Sequence, residues 1–524
     1  MSFAARAPQC DADAMVQSAT ANKQYTYRRR QPEETVLYKT LAANMETFIA
    51  DREAEGRPVP ERVVKELRSY LTCGILQYGF LRVVCPSGHY ETAVPYSCKG
   101  RGFCPSCFGK RGSEAVEHLV DQVLPWAPYR QWVLTFPFAL RFWLAANNRL
   151  LSKINKIATS EIGKFYCSRA NAEGVAAPLA GAITFIQRSG SALNSALHLH
   201  ILTIDGVYWA PAAEGVAPRL HATCGPSDED VGMVVENIAT RTVRLLRRKG
   251  YLDSEAEFVM RPDADEMFQD NAAITAALGA SVQSKIAFGP RAGEHVRKIG
   301  KGFGSEGETP LVKGLKCVQV NGFNLQAATY VGPNDRRHLE ELVAYMTRPP
   351  LANDRLSVDQ NGDLTYRMKR RFADGTQAIL LSPSELLEKI CAMVPPPRAH
   401  QQLYTGVFSS HSKWRNLVVL SPEARKGFNP VTVDKNKVKN HRRAKLLKRI
   451  FKIDVGSCPK CGCDLEIRAA IHDTEEIKHY LQHVGLPEHP PPIAPARYEH
   501  RELGLSFDES SYPQDEIQLP PDYH

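Results

Sequence analysis

The segment from Gly181 to Gly206 limits the folds open to this chain more than any other. Gly181-Ala-Ile-Thr-Phe-Ile-Gln187 is an apolar, β-rich run, a loop of Ser, Gly and Asn follows, and Leu197-His-Leu-His-Ile-Leu202 leads into Asp205-Gly206. Two such runs separated by a polar loop are the pattern of a β-hairpin. Residues two apart on a strand share a face, so His198 and His200 project together while Leu199 and Ile201 point the other way. Neutral imidazoles side by side can share one divalent ion. The same three residues also fit two chance histidines on a half-buried strand, so the rest of the chain decides their meaning.

With 524 residues the chain has room for several domains. No uninterrupted apolar run reaches the roughly 18 residues that a membrane span needs, and the N-terminal residues lack the pattern of a secretory signal. The expectation is a cytoplasmic protein with no membrane partner. A net charge of +9 makes a polyanion such as DNA a natural partner.

Cysteine placement is the second constraint. In a reducing compartment the thirteen cysteines are better read as metal ligands than as disulfides. Cys73, Cys85-Pro-Ser-Gly-His89 and Cys98-Lys-Gly-Arg-Gly-Phe-Cys104-Pro-Ser-Cys107 fall close together. A C-x-x-C turn presents two thiolates from one knuckle, and a second pair completes a zinc tetrahedron. The spacing points to Cys85, His89, Cys104 and Cys107 as ligands of one structural zinc, with Cys98 and Cys73 in reserve. A further knuckle, Cys458-Pro-Lys-Cys461-Gly-Cys463, has no second pair nearby, and its remaining ligands stay open.

The pattern divides the chain into a mobile basic arm (1–35), a zinc- and DNA-binding domain (36–125), and a catalytic domain (126–400) with a helical insertion around 226–307. A basic C-terminal region (401–487) and a disordered tail (488–524) follow. Within the third unit Gln131–Phe136 reads as a strand. A helix opens at the Asp335 cap and buries Leu339, Leu342, Val343 and Met346. Tyr345 lies beside that stripe, His338 and Glu341 share its face, and Arg348-Pro-Pro350 ends the helix. The run Lys435–Lys452 carries nine Lys and Arg, which favours a phosphate-binding stripe. The fold class expected is α+β.

These residues resemble a known family, the rolling-circle transposases of the insertion-sequence 91 and common-region type within the HUH nuclease superfamily. The likeness runs from about Cys73 to Pro487. It rests on Ser97-Cys-Lys-Gly-Arg-Gly-Phe-Cys-Pro-Ser-Cys107, Trp132-Val-Leu-Thr-Phe-Pro137, Ser191-Ala-Leu-Asn through His198-Leu-His200 to Asp205-Gly206-Val207, Tyr345-Met-Thr-Arg348-Pro-Pro-Leu-Ala, Tyr404-Thr-Gly-Val-Phe408 and Cys458-Pro-Lys-Cys-Gly. Two departures stand out. Cys85-Pro-Ser-Gly-His89 replaces the family's usual Cys-x-x-Cys-Gly-His, and Glu341 occupies the place where some members carry a second tyrosine, so the single-tyrosine branch is the nearer match.

The resemblance implies an HUH-type antiparallel sheet flanked by helices. It implies that Tyr345 attacks single-stranded DNA at element ends that form hairpins, leaving a 5′-phosphotyrosine link and a free 3′-OH. His198 and His200 would hold catalytic Mg²⁺ or Mn²⁺, with Gln187, His338 or Glu341 as third ligand, and Arg348 would steady the phosphate. Host replication machinery is an implied partner. The competing readings are an HUH replication initiator or relaxase, and a non-catalytic zinc-dependent DNA-binding regulator.

Overall fold

The computed structural model describes residues 25–26, 29–210, 217–253, 255, 257–259, 272–300, 314–372, 374–419, 453–454 and 458–497. The basic run 435–452, most of the basic arm and residues 498–524 lie outside the described residues.

Helices α1 (Val36–Ala54) and α2 (Glu61–Leu71) begin the N-terminal module. Thr35 caps α1 by accepting from Tyr38 N, and Pro60 starts α2, where a missing N–H costs nothing. They close on each other through Leu37, Leu41 and Met45 against Val63, Leu67 and Leu71. Strands β1 (Phe80–Val84) and β2 (Glu91–Pro95) form an antiparallel hairpin around the turn Cys85–His89. Helix α3 (Pro105–His118) opens on Cys104 and Pro105.

The centre of the molecule is one antiparallel sheet. In chain order its surroundings are β3 (Tyr129–Thr135), α4 (Phe138–Ala146), α5 (Asn148–Ala172), β4 (Gly181–Ser189), β5 (Ser195–Ile204), α6 (Asp228–Arg248), β6 (Cys317–Val320), β7 (Phe323–Gln326), α7 (Arg336–Met346), α8 (Pro383–Met393) and β8 (Gln402–Gly406). Across the sheet the order is β6, β7, β3, β5, β4, β8, with Tyr330–Val331 also pairing with β3. The expected hairpin is β4–β5, in a register that sets Gln187 opposite His198 and Phe185 opposite His200.

Alternation along β5 then sorts the layers. Leu197, Leu199 and Ile201 join Trp132 and Leu134 in a core that also takes in residues of α4, α5 and α6. Leu202 and Ile204, on the histidine face, pack with Ile183, Phe185 and the α7 stripe of Leu339, Leu342, Val343 and Met346. Helix α7 therefore covers the histidine face. This is an α+β fold of an antiparallel sheet between helical layers.

The C-terminal part returns to the N-terminal module. Strand β9 (Glu466–Ile471) pairs antiparallel with β1, Ile471 opposite Phe80, and α9 (Thr474–His483) packs Ile477 and Leu481 on Leu76 and Phe80. Residues 488–497, expected in a disordered tail, lie along α1 instead. Ala494 N donates to Ala42 O at 2.8 Å and Arg497 N to Thr47 Oγ1 at 3.0 Å. Short proline-rich stretches of this kind carry no periodicity from which such a contact can be read. No helix of the described residues is long and apolar enough to cross a membrane.

Candidate functional site

His198, His200 and Tyr345 meet where β5 passes under the end of α7. The two imidazoles stand 4.9 Å apart by ring centroid, and the Tyr345 ring meets His200 edge-on at 5.8 Å. Residues 198 and 200 are neighbours because the strand repeats every two residues. Tyr345 reaches them because the α7 stripe seats its helix on their face. The Arg348 guanidinium lies 4.2 Å from the Tyr345 ring centroid and Lys369 Nζ 5.9 Å from it. Two cations thus flank the phenol, and its 41% exposure leaves it open to a substrate.

The histidines are held by named partners. His198 Nδ1 donates to Ala196 O at 2.6 Å, which leaves the Nε2 lone pair free. The Gln131 amide lies 2.7 Å from His200 Nδ1, while His200 Nε2 is buried with no hydrogen-bond partner. An amide turned to present oxygen accepts Nδ1–H and frees Nε2 as a ligand. Burial pushes His198 below the usual imidazole range. Burial, then His198 and Arg348, bring His200 down to about 3. Both rings are therefore neutral near pH 7, the form that binds metal. An orphaned buried nitrogen beside a second free lone pair fits a divalent ion.

The three possible third ligands fare differently. Gln187 sits opposite His198, and its Nε2 donates to Met346 O at 3.0 Å, tying the sheet to the end of α7. His338 stays near the Asp335 cap, 3.7 Å from its carboxylate, and Glu341 pairs with exposed Arg337 at 3.2 Å. Among the described residues no Asp, Glu, Cys or further His joins the histidine pair in a group of three.

Tyr345 and Gln187 line a cavity of about 830 Å³ between α3 and the sheet. Its wall carries Arg101, Arg111, Arg188, Arg348, Arg355, Lys369 and Arg370 against one acid, Glu114. The first two come from the N-terminal module, so the cleft is shared between that module and the sheet.

The cysteines do not gather as the spacing led us to expect. Cys104 and Cys107 join Cys73 and Cys98, whereas Cys85 and His89 join Cys458 and Cys461, each set with its ligand atoms within 4.8 Å of one another. The expected set of Cys85, His89, Cys104 and Cys107 is thus split in two, and the reserve residues Cys73 and Cys98 complete the first group. The cause is β1: it carries Cys85 away along the hairpin, while Cys98 returns beside Cys73 and donates its N–H to Cys73 Sγ at 3.4 Å. Sulfur separations in the first group are 3.8 Å (Cys73–Cys104), 3.6 Å (Cys73–Cys107) and 3.5 Å (Cys98–Cys107). A tetrahedron with Zn–S bonds near 2.3 Å sets its sulfurs roughly 3.8 Å apart. Both clusters fit metal binding.

Sequence reading also missed Gln131, Lys369 and the support beneath β5. There Arg130 donates to both Asp205 oxygens at 2.9 and 2.7 Å, and Tyr166 Oη donates to Oδ1 at 2.8 Å. Asp205-Gly206 at the strand end was the available signal; its partners were not.

Residues 181–415 match the Y2_Tnp transposase family, and residues 42–136 match the transposase zinc-binding domain of the insertion-sequence 91 type. Sheet, basic cleft and cysteine module therefore belong to a transposase, a protein that acts on DNA. The chain belongs to the insertion-sequence 91 type of transposases, with an N-terminal zinc-binding domain whose match runs on through β3 of the sheet. No curated protein and no solved structure matches it.

Proposed function

We propose that this transposase nicks and rejoins single-stranded element ends through a 5′-phosphotyrosine intermediate, in rolling-circle transposition, as a single-tyrosine HUH enzyme. The observation that carries the reading is the meeting of Tyr345 with His198 and His200 under the cover of α7.

The chemistry follows from these groups. Tyr345 Oη attacks phosphorus in line, the new O–P bond forms as the P–O3′ bond breaks, and the leaving oxygen takes a proton to become the free 3′-OH. Rejoining reverses the exchange when another 3′-OH attacks the phosphotyrosine. Bond count is conserved, so no external energy source is needed. His198, His200 and Gln187 would hold Mg²⁺ or Mn²⁺, which when bound withdraws charge from the phosphate as the transition state builds. Arg348 and Lys369 add fixed positive charge beside the phenol. The cleft wall of Arg101, Arg111 and Arg370 suits a flexible DNA strand, whose phosphates such a wall can follow.

Within this reading the enzyme works in the bacterial cytoplasm at nucleoid DNA and leaves a 3′-OH that the host replication machinery can extend. A replication initiator or relaxase shares the chemistry, and strand transfer between two element ends separates them. A non-catalytic regulator would have no use for an exposed tyrosine beside paired neutral histidines. The test is nicking of labelled single-stranded end DNA with Mg²⁺ or Mn²⁺. His198→Ala and His200→Ala should each abolish cleavage while strand binding persists. Full cleavage in EDTA would refute the metal role.

A further inference from the structure

We propose that Cys85, His89, Cys458 and Cys461 hold a second zinc ion, which fastens the C-terminal segment 458–497 onto the N-terminal zinc-binding module. The site stands apart from the phosphotyrosine chemistry. Half of its ligands lie far outside the segment that matches the zinc-binding domain, residues 42–136.

Two turns of the same construction face each other. In the first, Cys85-Pro86 opens a turn in which Gly88 N donates to Cys85 O at 2.9 Å, with Gly88 at φ +75°. In the second, Cys458-Pro459 opens a turn in which Gly462 N donates to Cys458 O at 2.8 Å, with Gly462 at φ +73°. A positive φ is open to glycine at no steric cost, so both turns are built to curl tightly around their cysteines. Pairing of β9 with β1 brings them together, since Glu466 lies opposite Val84, one residue before Cys85.

The donor atoms converge without any bond between them. Cys85 Sγ is 3.6 Å from Cys461 Sγ and 4.0 Å from His89 Nδ1, and the four donors all lie within 4.8 Å of one another. A disulfide would need sulfurs near 2.05 Å, whereas a tetrahedral zinc sets them roughly 3.8 Å apart. A fifth donor, Cys463, lies 3.3 Å from Cys85 Sγ and 3.2 Å from Cys461 Sγ, closer than a tetrahedron allows between two ligands. We therefore assign the fourth position to His89.

The consequence is mechanical. Besides the hydrogen bonds of Ala494 and Arg497 to α1, the contact between β9 and β1 and the small cluster of Leu76, Phe80, Ile471, Ile477 and Leu481 hold this segment among the described residues. So small a core holds weakly alone, and a shared metal adds its binding free energy to the docked state.

The experiment is a zinc count on the full chain by native mass spectrometry. Two zinc ions per wild-type chain are expected, and one overturns the proposal. Cys458→Ser with Cys461→Ser should leave one zinc and make 466–483 sensitive to brief proteolysis; two zinc ions in that variant also overturn it. Cobalt substitution guards against a variant that fails to fold. In the wild-type chain, thiolate-to-cobalt absorption should grow in two steps, one from a four-thiolate site and one from a three-thiolate, one-imidazole site. A single four-thiolate spectrum at saturation contradicts the second site. His89→Ala should abolish the second step and Cys463→Ser should spare it; the reverse result rejects the ligand assignment.

Discussion

A Cβ on Gly112 would fall 2.7 Å from the Thr347 carbonyl oxygen, so α3 and the end of α7 touch where only glycine fits. The contact joins two parts of the molecule with different chemistry. Cys104 stands at the N-cap position of α3 and Cys107 lies in its first turn, while Thr347 is two residues from Tyr345. A metal at the cysteines that begin α3 therefore bears, through one helix, on the position of the tyrosine.

Gly112→Ala should accordingly damage catalysis more than folding. The helix pair must shift to admit the methyl group, a strain on the order of 1–3 kcal/mol. We expect single-turnover nicking to fall about tenfold or more, the scale set by a misplaced reacting group. Circular dichroism should still show a cooperative melt. Wild-type nicking rates in this variant would show that the contact does not position Tyr345.

Removing zinc from the first cluster should act by the same route. Cys104→Ser with Cys107→Ser should release about one zinc, because thiolate sites form with the fold around them. DNA binding and nicking should both weaken, since Arg101 and Arg111 flank the lost knuckle and line the cleft. Unchanged zinc content would show that the four thiols are not its ligands.

Beneath the site, Asp205→Ala should be strongly destabilising. The Arg130 and Asp205 side chains are 5% and 4% exposed, and the substitution strands the guanidinium as a buried charge. The expected loss is about 3–5 kcal/mol, read from the urea midpoint. A loss below about 1 kcal/mol would mean that the pair is solvated in solution.

How far the sequence reveals this architecture depends on the distance over which each feature is set. The β4–β5 hairpin and the α7 stripe follow from periodicities of 2 and 3.6 within a dozen residues, and so do the pairing of His198 with His200 and the cover over them. The cysteine groups depend on contacts such as that between Cys85 and Cys461, 376 residues apart. Their members also interleave, Cys73 and Cys98 enclosing Cys85 and His89 in the chain, so spacing alone favoured the wrong quartet. Gln131 meets His200 through the β3–β5 register, and Lys369 nears Tyr345 from just beyond the strand Leu364–Arg367, which pairs antiparallel with Ala378–Leu381. Neither contact has a local signature.

The histidine burial gives a pH dependence. His200 is held near 3 in the folded chain, below the roughly 6.5 of an unfolded imidazole. The unfolded state therefore binds more protons between these values. The stability contributed by neutral His200 is full above about 6.5 and is lost as pH falls towards 3. In metal-free protein, going from pH 7.5 to 4.5 should cost on the order of 2 kcal/mol through this residue. His200→Gln should flatten that part of the profile, and identical pH profiles for the two proteins would count against the buried neutral ring.

The central claim is that Tyr345 is the sole covalent nucleophile, and mapping the protein–DNA adduct tests it most directly. Labelled single-stranded end DNA is incubated with protein and Mn²⁺, digested, and the modified peptide identified by mass. The adduct should map to Tyr345 and vanish in Tyr345→Phe, which removes only a hydroxyl from a ring that is 41% exposed and so leaves folding intact. An adduct that persists in Tyr345→Phe, or that maps to Tyr330, Tyr366 or Tyr404 in the wild type, would contradict the account.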